Sequence, residues 1–355
     1  MTADDNSWMQ PGFVPGLVSV IIPTFNRGHL LGEAIDSVLA QTYRPIECVV
    51  ADANSTDNTL EVVRCKQASI LQNDGFKLLY VTEPDRGASA SRNLGLRNCS
   101  GEFIQFLDSD DVLVCEKLNH HVQVLRANVS LDIVWSKWLI VDSEEMSGAI
   151  QRANSDVSRH PNNAPPETVF SESIPWEPWP CLFRRRVCFE GGPWNERLTR
   201  FEDWEYAVRL LATNPKIAHL PGTYAINREH QRRGVYDHPH KPDAIERGLK
   251  ACREAGLAWS LKPEGNFKIA QLIAVRYWEM GLESLLLGTP QQAAEAFAGA
   301  KHITQSPKFR FKAGIAAFSL AVGGPRFARI VLSRYKYSFT MGGQHSAAHY
   351  KTSAK

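Results

Sequence analysis

Three acidic residues stand close together in the segment Asp108-Ser109-Asp110-Asp111, directly after an apolar run. Carboxylates this close repel one another, so their position at the end of a strand favours a cation that neutralises them. Mg²⁺ or Mn²⁺ suits such oxygen ligands, and Mg²⁺ completes its shell with water and phosphate oxygens. The segment therefore predicts a metal site that also binds a phosphorylated ligand. The alternative is that these acids only cap a helix beginning near Val112.

Polar residues also follow the other predicted strands, at the sheet edge where open parallel α/β sheets bind their ligands. They are Pro23, Thr24, Phe25, Asn26 and Arg27 after the first strand, Asp52 after the second and Asp85 after the third. Asp52 is placed to accept a hydrogen bond from a base or a ribose, although the same spacing also fits a helix cap. Arg92, in a helix beginning near Ala88, is placed to reach a phosphate, or else is a solvated surface arginine.

A further acidic pair, Glu202-Asp203, precedes a helical pattern. The apolar face of that helix consists of Trp204, Ala207, Val208 and Leu211, which puts both acids in its first turn. A carboxylate there can act as general base for a hydroxyl nucleophile, and the alternative is that it only stabilises the helix dipole. His230 follows a predicted strand and is a candidate metal ligand, with a structural histidine as the alternative.

The elements that must position these residues alternate between strand and helix. Continuous apolar runs predict strands at 17–22, 46–52, 77–83, 102–108 and 131–142, and amphipathic segments follow the first four. This alternation predicts an α/β fold with a mainly parallel, Rossmann-like sheet flanked by helices. Residues 143–168 are polar and rich in Pro and Asn, which is typical of a long loop that is either disordered or an active-site flap. A helix near 202–213 and a strand near 216–226 follow.

The chain divides into three predicted parts. Residues 1–16 have the composition of a disordered lead-in, 17–240 contain the α/β domain, and 241–355 form a helical C-terminal region with a basic tail. Within the last part, Thr289 followed by Pro290 and Gln292 predicts a helix start with a capping box. The N-terminus resembles no secretion signal, and no segment has the roughly 18 consecutive apolar residues that a membrane-spanning helix needs.

The formal net charge of +2 is an average of two unlike regions. Ten of the 40 Lys and Arg residues lie in 301–355, where no Asp or Glu occurs, so this tail has a charge of +10 and residues 1–300 have −8. The acidic body argues against nucleic acid as a partner. The seven cysteines form no CxxC pair, which favours a reducing, cytoplasmic location.

Several common ligand-binding motifs are absent from the sequence. It contains no GxxxxGK[ST] loop, no GxGxxG after the first strand and no GxSxG turn. These absences argue against a P-loop NTPase, a dinucleotide-binding enzyme and an α/β-hydrolase.

Four segments together resemble the inverting family 2 glycosyltransferases with a GT-A fold, of the type that builds bacterial cell-surface polysaccharides. They are VSVIIPTFNRGHLLGEAIDSVLAQTY, VVADANSTDNT, EPDRGASASRNLGLRNCSGEFIQFLDSDD and RFEDWEYAVRLL. Their order and spacing match the family from about residue 17 to 235. The resemblance implies a metal-dependent enzyme that transfers a sugar from a nucleoside diphosphate sugar, most often UDP-linked, to an acceptor hydroxyl.

The resemblance also implies roles for individual residues. The nucleotide would contact Pro23, Thr24, Phe25, Asn26, Arg27, Asp52, Asp85, Arg92, Asp108 and Ser109. Within this set, Asp52 would bind the base. Mg²⁺ or Mn²⁺ would be held by Asp108, Asp110, Asp111 and His230. Asp203 would be the catalytic base. The chain departs from many relatives at Ala53, because they have a second acid at this position.

Two other function classes remain open from the sequence. A nucleotidyltransferase has a related sheet, but it is expected to have a Gly-rich, Arg-containing loop where this chain has Pro23 to Gly28. A non-catalytic protein that binds a cation or nucleotide would not need Asp203. The tryptophans Trp176, Trp179 and Trp194 are either stacking surfaces for an acceptor or, as we favour, core residues.

The basic tail has two interpretations as well. Its cations are interleaved with aromatic residues, namely Phe309, Phe311, Phe318, Phe327, Tyr335 and Tyr337. One interpretation is a peripheral anchor on the inner, anionic face of a membrane, which would bring the active site to a glycan or lipid-linked acceptor. The other is a helical cap with solvated charges.

Overall fold

The structure is a computed structural model that describes residues 8–9, 12–70, 75–84, 87–158, 169–171, 177–229, 243–260 and 267–334. Contacts group the described residues into two compact units. The first lies within Met1–Glu196 and Pro215–Gln231, and the second within Arg197–Asn214 and Arg232–Lys355. The segment Arg197–Asn214 is thus grouped with the C-terminal helices. The domain limits predicted from the sequence, 17–240 and 241–355, stay predictions.

The first unit is built on one mixed sheet. Its strands are β1 Val14–Thr24, β2 Ile46–Asp52, β3 Phe76–Thr82, β4 Gly101–Phe106, β5 Val112–Leu113, β6 Ile133–Asp142, β7 Val169–Ser171, β8 Cys181–Arg184 and β9 Ile217–Glu229. The strand order is β3-β2-β1-β4-β8-β6-β9-β5, and β7 pairs with β9. The strands β3, β2, β1 and β4 are parallel, as are β6 and β9, whereas β8, β5 and β7 pair antiparallel to their neighbours.

Helices flank this sheet. They are α1 Gly28–Leu39, α2 Thr59–Ile70, α3 Ala88–Asn98, α4 Lys117–Ala127, α5 Met146–Ser158 and α6 Arg185–Gly191. All seven residues of β2 are buried, as expected for a parallel strand with covered faces. Val20, Ile22, Leu31 and Ile35 belong to one hydrophobic core that joins β1 to α1. The predicted fold class, an α/β fold with a mainly parallel sheet, is confirmed.

The structure corrects the predicted loop at 143–168. A 3₁₀ turn at Ser143–Glu145 leads into α5, which extends to Ser158, and residues 159–168 lie outside the described part of the chain. The helix forms because Met146, Ala149, Ala153 and Val157 recur at helical spacing and are all buried in the core. This stripe was present in the sequence, but the polar residues between its members obscured it.

The predicted N-terminal boundary also changes. β1 begins at Val14, inside the lead-in predicted for 1–16, and Met9 is buried. Trp8 stacks on Phe189 with ring centroids 5.9 Å apart. The strand starts earlier because Val14 pairs with Gly101 across a bulge, beyond the apolar run that marks the strand in the sequence.

The second unit is helical. It contains α7 Glu202–Leu211, α8 Ala244–Ser260, α9 Phe267–Leu287, α10 Pro290–Ile303 and α11 Pro307–Arg334. The predicted capping box is confirmed, since Thr289 and Gln292 exchange side-chain and backbone hydrogen bonds at the start of α10. Gly324 interrupts α11 with non-helical backbone angles. Among the described residues, no helix is long and apolar enough to cross a membrane.

Candidate active site

The candidate residues of the first unit meet at the carboxyl ends of three adjacent strands. β1 lies between β2 and β4, and Thr24 at its end is aligned with Asp52 at the end of β2. On the other side, the Leu107 N–H donates to the Ile21 carbonyl over 3.0 Å. The loops that follow these strands therefore start side by side, which confirms the sheet-edge arrangement predicted from the strand pattern.

Two of the three clustered acids face arginines. The Arg92 guanidinium donates to Asp108 Oδ1 over 3.1 Å, and the Arg27 guanidinium donates to Asp110 Oδ2, also over 3.1 Å. The side chains of Asp108 and Asp110 keep exposed fractions of 27% and 18%. Both carboxylates thus remain partly accessible to a ligand while an arginine donates to each of them.

Asp111 has a different environment. Its side chain accepts hydrogen bonds from the Asn227 side-chain amide at 3.0 and 3.1 Å and from the Arg228 backbone N–H at 3.0 Å. The residue is 1% exposed. The contacts tie the acidic turn to the end of β9, so this geometry favours support of the turn over direct contact with a ligand.

The helix-cap interpretation of the acidic cluster is wrong. Val112 and Leu113 form β5, which pairs with Ile226 and Ala225 of β9. The next helix, α4, begins only at Lys117. The acids occupy the turn between two strands because tertiary pairing with β9 extends the chain where the sequence alone allows a helix.

Two carboxyl groups of the acidic cluster have pKa values above their ordinary range. Burial raises the pKa of Asp108, and the Arg92 guanidinium offsets part of that effect. Burial, together with the Asp108 and Asp110 charges, raises the pKa of Asp111 well above its ordinary range. Negative charge at this edge is therefore only partly compensated by the surrounding protein.

Asp52 at the end of β2 is fully buried and has several donors. The Ser55 hydroxyl donates to Oδ1 over 2.5 Å, and the Ser55 N–H lies 3.2 and 3.1 Å from Oδ1 and Oδ2. The Tyr80 hydroxyl donates to Oδ2 over 2.5 Å. Burial and the Asp52 carboxylate raise the pKa of Tyr80 to about 12, so the phenol stays a proton donor.

The helix-cap interpretation of Asp52 is also wrong. Its side chain closes the turn from Asp52 to Ser55, whereas α2 begins at Thr59. Asp57 accepts from the Thr59 N–H at the start of α2 and from the Gly28 N–H at the start of α1, both over 3.0 Å. Asp57 therefore stabilises the first turns of both helices.

The loops after β1 and β2 are linked to each other. Asn26 has a left-handed backbone with φ of 51°, its N–H donates to Ser55 Oγ over 2.8 Å, and its side-chain oxygen accepts from the Thr56 N–H over 2.8 Å. Asparagine tolerates this backbone conformation better than most residues. The linkage holds Arg27 at the end of the loop, next to the acidic turn.

Arg92 is a buried side chain, which contradicts the interpretation as a solvated surface arginine. It is 3% exposed, and its guanidinium carbon lies 4.5 Å from the centre of the Trp194 ring. Asn93 fixes this tryptophan, accepting from the Trp194 N–H over 2.7 Å and donating to the Trp194 carbonyl over 2.9 Å. Arg92 is thus held between an aromatic ring and Asp108.

The remaining candidates of the first unit differ in exposure. Thr24 and Ser109 are buried, Pro23 is buried in β1, and Phe25 is 38% exposed beside them. Asp85 and His230 lie outside the described residues. Trp179 and Trp194 are buried, which confirms core packing for these two, and Trp176 also lies outside the described residues.

Asp203 belongs to the second unit, in the first turn of α7. Phe201, at the cap of this helix, has a left-handed backbone with φ of 59°. The Arg200 and Arg276 guanidinium carbons lie 4.5 and 4.4 Å from the centre of its ring. These contacts fix the helix start from which Asp203 projects, and the base and dipole interpretations of this acid both stay predictions.

The family model "Glycosyl transferase family 2" matches residues 19–171. This span contains the second half of β1 and all of β2 to β4, together with Asp52, Arg92 and the acidic turn. Residues 19–171 thus form a glycosyl transferase family 2 domain. The predicted family resemblance is confirmed over these residues, and it supports the predicted transferase class of enzyme.

Curated relatives agree with this family membership. The chain is 35% identical over 133 residues to UDP-Glc:alpha-D-GlcNAc-diphosphoundecaprenol beta-1,3-glucosyltransferase WfgD of Escherichia coli, covering 37% of this chain and 49% of that protein. It is 36% identical over 148 residues to GalNAc(5)-diNAcBac-PP-undecaprenol beta-1,3-glucosyltransferase of Campylobacter jejuni, covering 40% and 46%. The chain thus spans about half the length of each relative.

Solved structures support the fold. The TarS 1-349 structure of S. aureus has a TM-score of 0.64 at 18% identity, with 90% of each chain covered. The structure of the same protein in complex with UDP-GlcNAc has a TM-score of 0.63, with 90% of this chain and 91% of that chain covered. The likeness extends over most of this chain and confirms the predicted GT-A fold with its C-terminal helical region.

The acidic turn after β4 offers a donor set that fits a divalent cation. Among the described residues, no group of three or more His, Cys, Asp or Glu side chains is arranged to hold a metal ion. Mg²⁺ nevertheless binds through one or two carboxylates, with water and phosphate oxygens completing its shell. Asp108 and Asp110 provide such a pair at an edge where negative charge is incompletely balanced, so these residues fit the ion.

Tyr80 and Asn227 are site residues that the sequence patterns missed. Tyr80 lies inside an apolar strand, and Asn227 contacts Asp111 across 116 positions of sequence. Neither belongs to a recognisable local motif. The sequence places Tyr80 on β3, next to β2, but only the pairing register of the two strands shows that its side chain comes near Asp52.

Proposed function

We propose that this chain is a metal-dependent, inverting glycosyltransferase that moves a sugar from a UDP-linked donor to an acceptor hydroxyl in the assembly of a cell-surface glycan. The observation that carries the proposal is the meeting of Asp52, Arg92 and the pair Asp108 and Asp110 at one sheet edge. This set combines a hydrogen-bond acceptor for a base with cations and metal-binding carboxylates for a diphosphate.

The donor nucleotide contacts the loops after β1, β2 and β4. Asp52 accepts a hydrogen bond from the base, and Arg27 with Arg92 balances the negative charge of the diphosphate. Thr24 and Asn26 line the same end of β1 and β2. Pro23, Phe25, Asp85 and Ser109 complete the proposed donor site.

Asp108 and Asp110 would hold Mg²⁺ or Mn²⁺, with Asp111 alongside and His230 as a further proposed ligand. A bound divalent cation supplies Lewis-acid stabilisation of the departing diphosphate. Asp111 keeps the turn in place through Asn227 and the Arg228 amide. Arg27 and Arg92 orient the two proposed ligands through hydrogen bonds of 3.1 Å each.

Asp203 is the proposed base. Its carboxylate removes the proton from the acceptor hydroxyl, and the resulting oxygen forms a bond to the anomeric carbon of the donor sugar. The bond from that carbon to the diphosphate oxygen breaks, and the electron pair leaves with the nucleoside diphosphate. Attack and departure on opposite faces invert the anomeric configuration.

A lipid-linked acceptor is supported by the names of the two curated relatives, which both act on undecaprenol diphosphate-linked glycans. We therefore propose a polyprenyl diphosphate-linked sugar as acceptor for this chain. Such an acceptor is embedded in a membrane, so the proposal places the enzyme in the cytoplasm, at the inner face of that membrane.

Thermal shift and transfer assays together test the proposal. We expect UDP and a UDP-sugar to raise the melting temperature in the presence of Mn²⁺, and ADP and GDP to raise it less. With the matching UDP-sugar and a polyprenyl diphosphate-linked acceptor, UDP is released in step with glycosylated product. Release of inorganic pyrophosphate from a nucleoside triphosphate and a sugar phosphate would instead indicate a nucleotidyltransferase.

Asp203→Asn tests the base. We expect the transfer rate to fall by about 10²- to 10⁴-fold, because an amide cannot accept the acceptor's proton. UDP-sugar affinity is expected to stay unchanged in a thermal shift titration. The matched control is Glu202→Gln, which removes the neighbouring charge from the same helical turn. Equal losses in both variants would support the helix-dipole interpretation and contradict the assignment of Asp203 as base.

A further inference from the structure

The helix α11 has two faces of opposite character before its interruption at Gly324. One face, which consists of Phe309, Ala313, Ala316 and Leu320, is buried. Ala316 and Leu320 pack in a hydrophobic cluster with Leu285 of α9 and Phe297 of α10. This face explains why α11 folds against the other helices of the second unit.

The opposite face is apolar but exposed. Phe311, Phe318 and Val322 retain 71%, 69% and 66% of their accessible surface. Steps of seven and four residues bring these side chains onto one side of a helix. We call these three residues the outer face of α11. A run of large apolar side chains left open on one helix marks a surface that meets another apolar phase.

The charged residues of α11 itself are all positive. Lys308, Arg310 and Arg326 are exposed, and no Asp or Glu occurs in the chain after Glu295. The whole segment 301–355 has a formal charge of +10. An exposed apolar stripe with cations beside it matches the chemistry of an anionic bilayer surface, where headgroups attract the cations and acyl chains accept the aromatic rings.

We propose that the outer face of α11 binds the surface of a membrane rich in anionic lipid. The aromatic residues of this segment therefore have two roles. Phe309 is buried against the other helices, and Phe311 and Phe318 are exposed for contact with lipid. The role of this contact in reaching a lipid-linked acceptor rests on the proposed function. The binding itself rests only on exposure and charge.

A second copy of the chain is a less suitable occupant of this face. Symmetric pairing would bring Lys308, Arg310 and Arg326 of one copy close to the same cations of the other, and α11 carries no acid to balance them. An anionic lipid surface supplies that balancing charge without a specific partner residue. Salt dependence therefore distinguishes lipid binding from apolar self-association.

Co-sedimentation with vesicles tests the proposal on the full chain. We expect the protein to pellet with vesicles of equal parts phosphatidylglycerol and phosphatidylcholine, and to remain in the supernatant with phosphatidylcholine alone. The bound fraction is expected to fall as salt is raised, because the headgroup attraction is screened. Absence of binding to the anionic vesicles at physiological salt would overturn the proposal.

Paired variants locate the contact. Phe311→Ser with Phe318→Ser should weaken vesicle binding by about tenfold or more, because two large apolar side chains no longer enter the interface. Lys308→Glu with Arg310→Glu should weaken it similarly. The matched controls are Leu257→Ser, which changes another exposed apolar residue of the second unit, and Lys77→Glu, which reverses an exposed charge in the first.

Two further measurements make every outcome decisive. Circular dichroism must show the same helix content and melting temperature for the paired variants and the wild type. Sedimentation velocity without lipid must show the same mass, since a dimer broken by Phe311→Ser with Phe318→Ser would assign this face to self-association and overturn the proposal. Metal-dependent UDP binding is expected to stay unchanged in all variants, so a failure of the proposed function would be seen separately.

Discussion

The acidic residues at the ends of β2 and β4 differ in how the protein compensates them. At the end of β2, the single carboxylate of Asp52 accepts from Ser55 and Tyr80 and is fully buried. At the end of β4, three carboxylates lie within four residues. Burial raises the pKa values of Asp108 and Asp111, and the charges of Asp108 and Asp110 raise the pKa of Asp111 further. One end holds a single carboxylate among hydrogen-bond donors, and the other concentrates three carboxylates that repel one another.

The difference separates two kinds of ligand interaction. A carboxylate that is already satisfied can recognise a ligand only by exchanging one hydrogen bond for another, which favours specificity over affinity. A group of incompletely balanced carboxylates gains free energy directly from a cation, which favours metal and diphosphate binding. We therefore expect changes at β4 to affect activity far more than changes at β2.

Asp110→Asn should have the largest effect among the tests of this comparison. We expect transfer to fall by at least about a hundredfold, on the scale of losing one charge-stabilising group, and the Mn²⁺-dependent thermal shift to be lost. Asp52→Asn is the matched change at the other end, and it should weaken UDP binding while the response to Mn²⁺ remains. A full Mn²⁺ response in Asp110→Asn would contradict the assignment of this residue as a metal ligand.

The sequence predicted the first half of this fold well because local patterns determine it. The apolar runs of β1, β2 and β4 end at polar residues, and parallel strands bring such ends to one edge whatever the details of packing. Asp52, Arg92 and Asp108 were found in this way. Local patterns therefore predict which residues lie at this edge of the sheet and in what order along the chain.

The different environments of Asp108, Asp110 and Asp111 could not be predicted from the sequence. Asp111 differs from Asp108 and Asp110 only because Asn227 and Arg228 reach it from β9, more than a hundred positions away in sequence. The same pairing converts the expected helix at Val112 into β5. Long-range pairing depends on register and packing, which a pattern of residue types does not encode.

Lys117 tests whether burial alone shifts the pKa of an ionisable side chain, as it does for the acids after β4. It is fully buried, its ammonium nitrogen donates to the Pro180 carbonyl over 2.9 Å, and burial lowers its pKa to about 7. Between about pH 7 and the unfolded value of 10.5, the unfolded state binds more protons than the folded state. The free energy of unfolding should therefore rise with pH in this window, by up to about 1.4 kcal/mol per unit.

Lys117→Met should remove this slope, as measured by urea unfolding at several pH values between 7 and 9. The control is Lys77→Met, which changes an exposed lysine of β3 and should leave the slope as in the wild type. Glycosyl transfer is expected to persist in Lys117→Met, because Lys117 lies outside the proposed site. Parallel pH curves for Lys117→Met and wild type would show that burial of this amine does not perturb its protonation.

Tyr80→Phe should have the smallest effect and bears most directly on the β2 end. Loss of the phenol hydroxyl leaves Asp52 Oδ2 with one donor fewer, so the free energy of unfolding should fall by about 1 kcal/mol. The same oxygen then has capacity for the base, and UDP should bind a few-fold more tightly in isothermal titration calorimetry. Tyr43→Phe removes a comparable buried hydroxyl that donates to the Gly16 carbonyl, and it should lower stability without changing UDP affinity. If the Tyr80 hydroxyl only competes with the base for Asp52 Oδ2, its removal cannot weaken UDP binding. Weaker UDP binding in Tyr80→Phe would therefore mean that the hydroxyl orients Asp52 for the base.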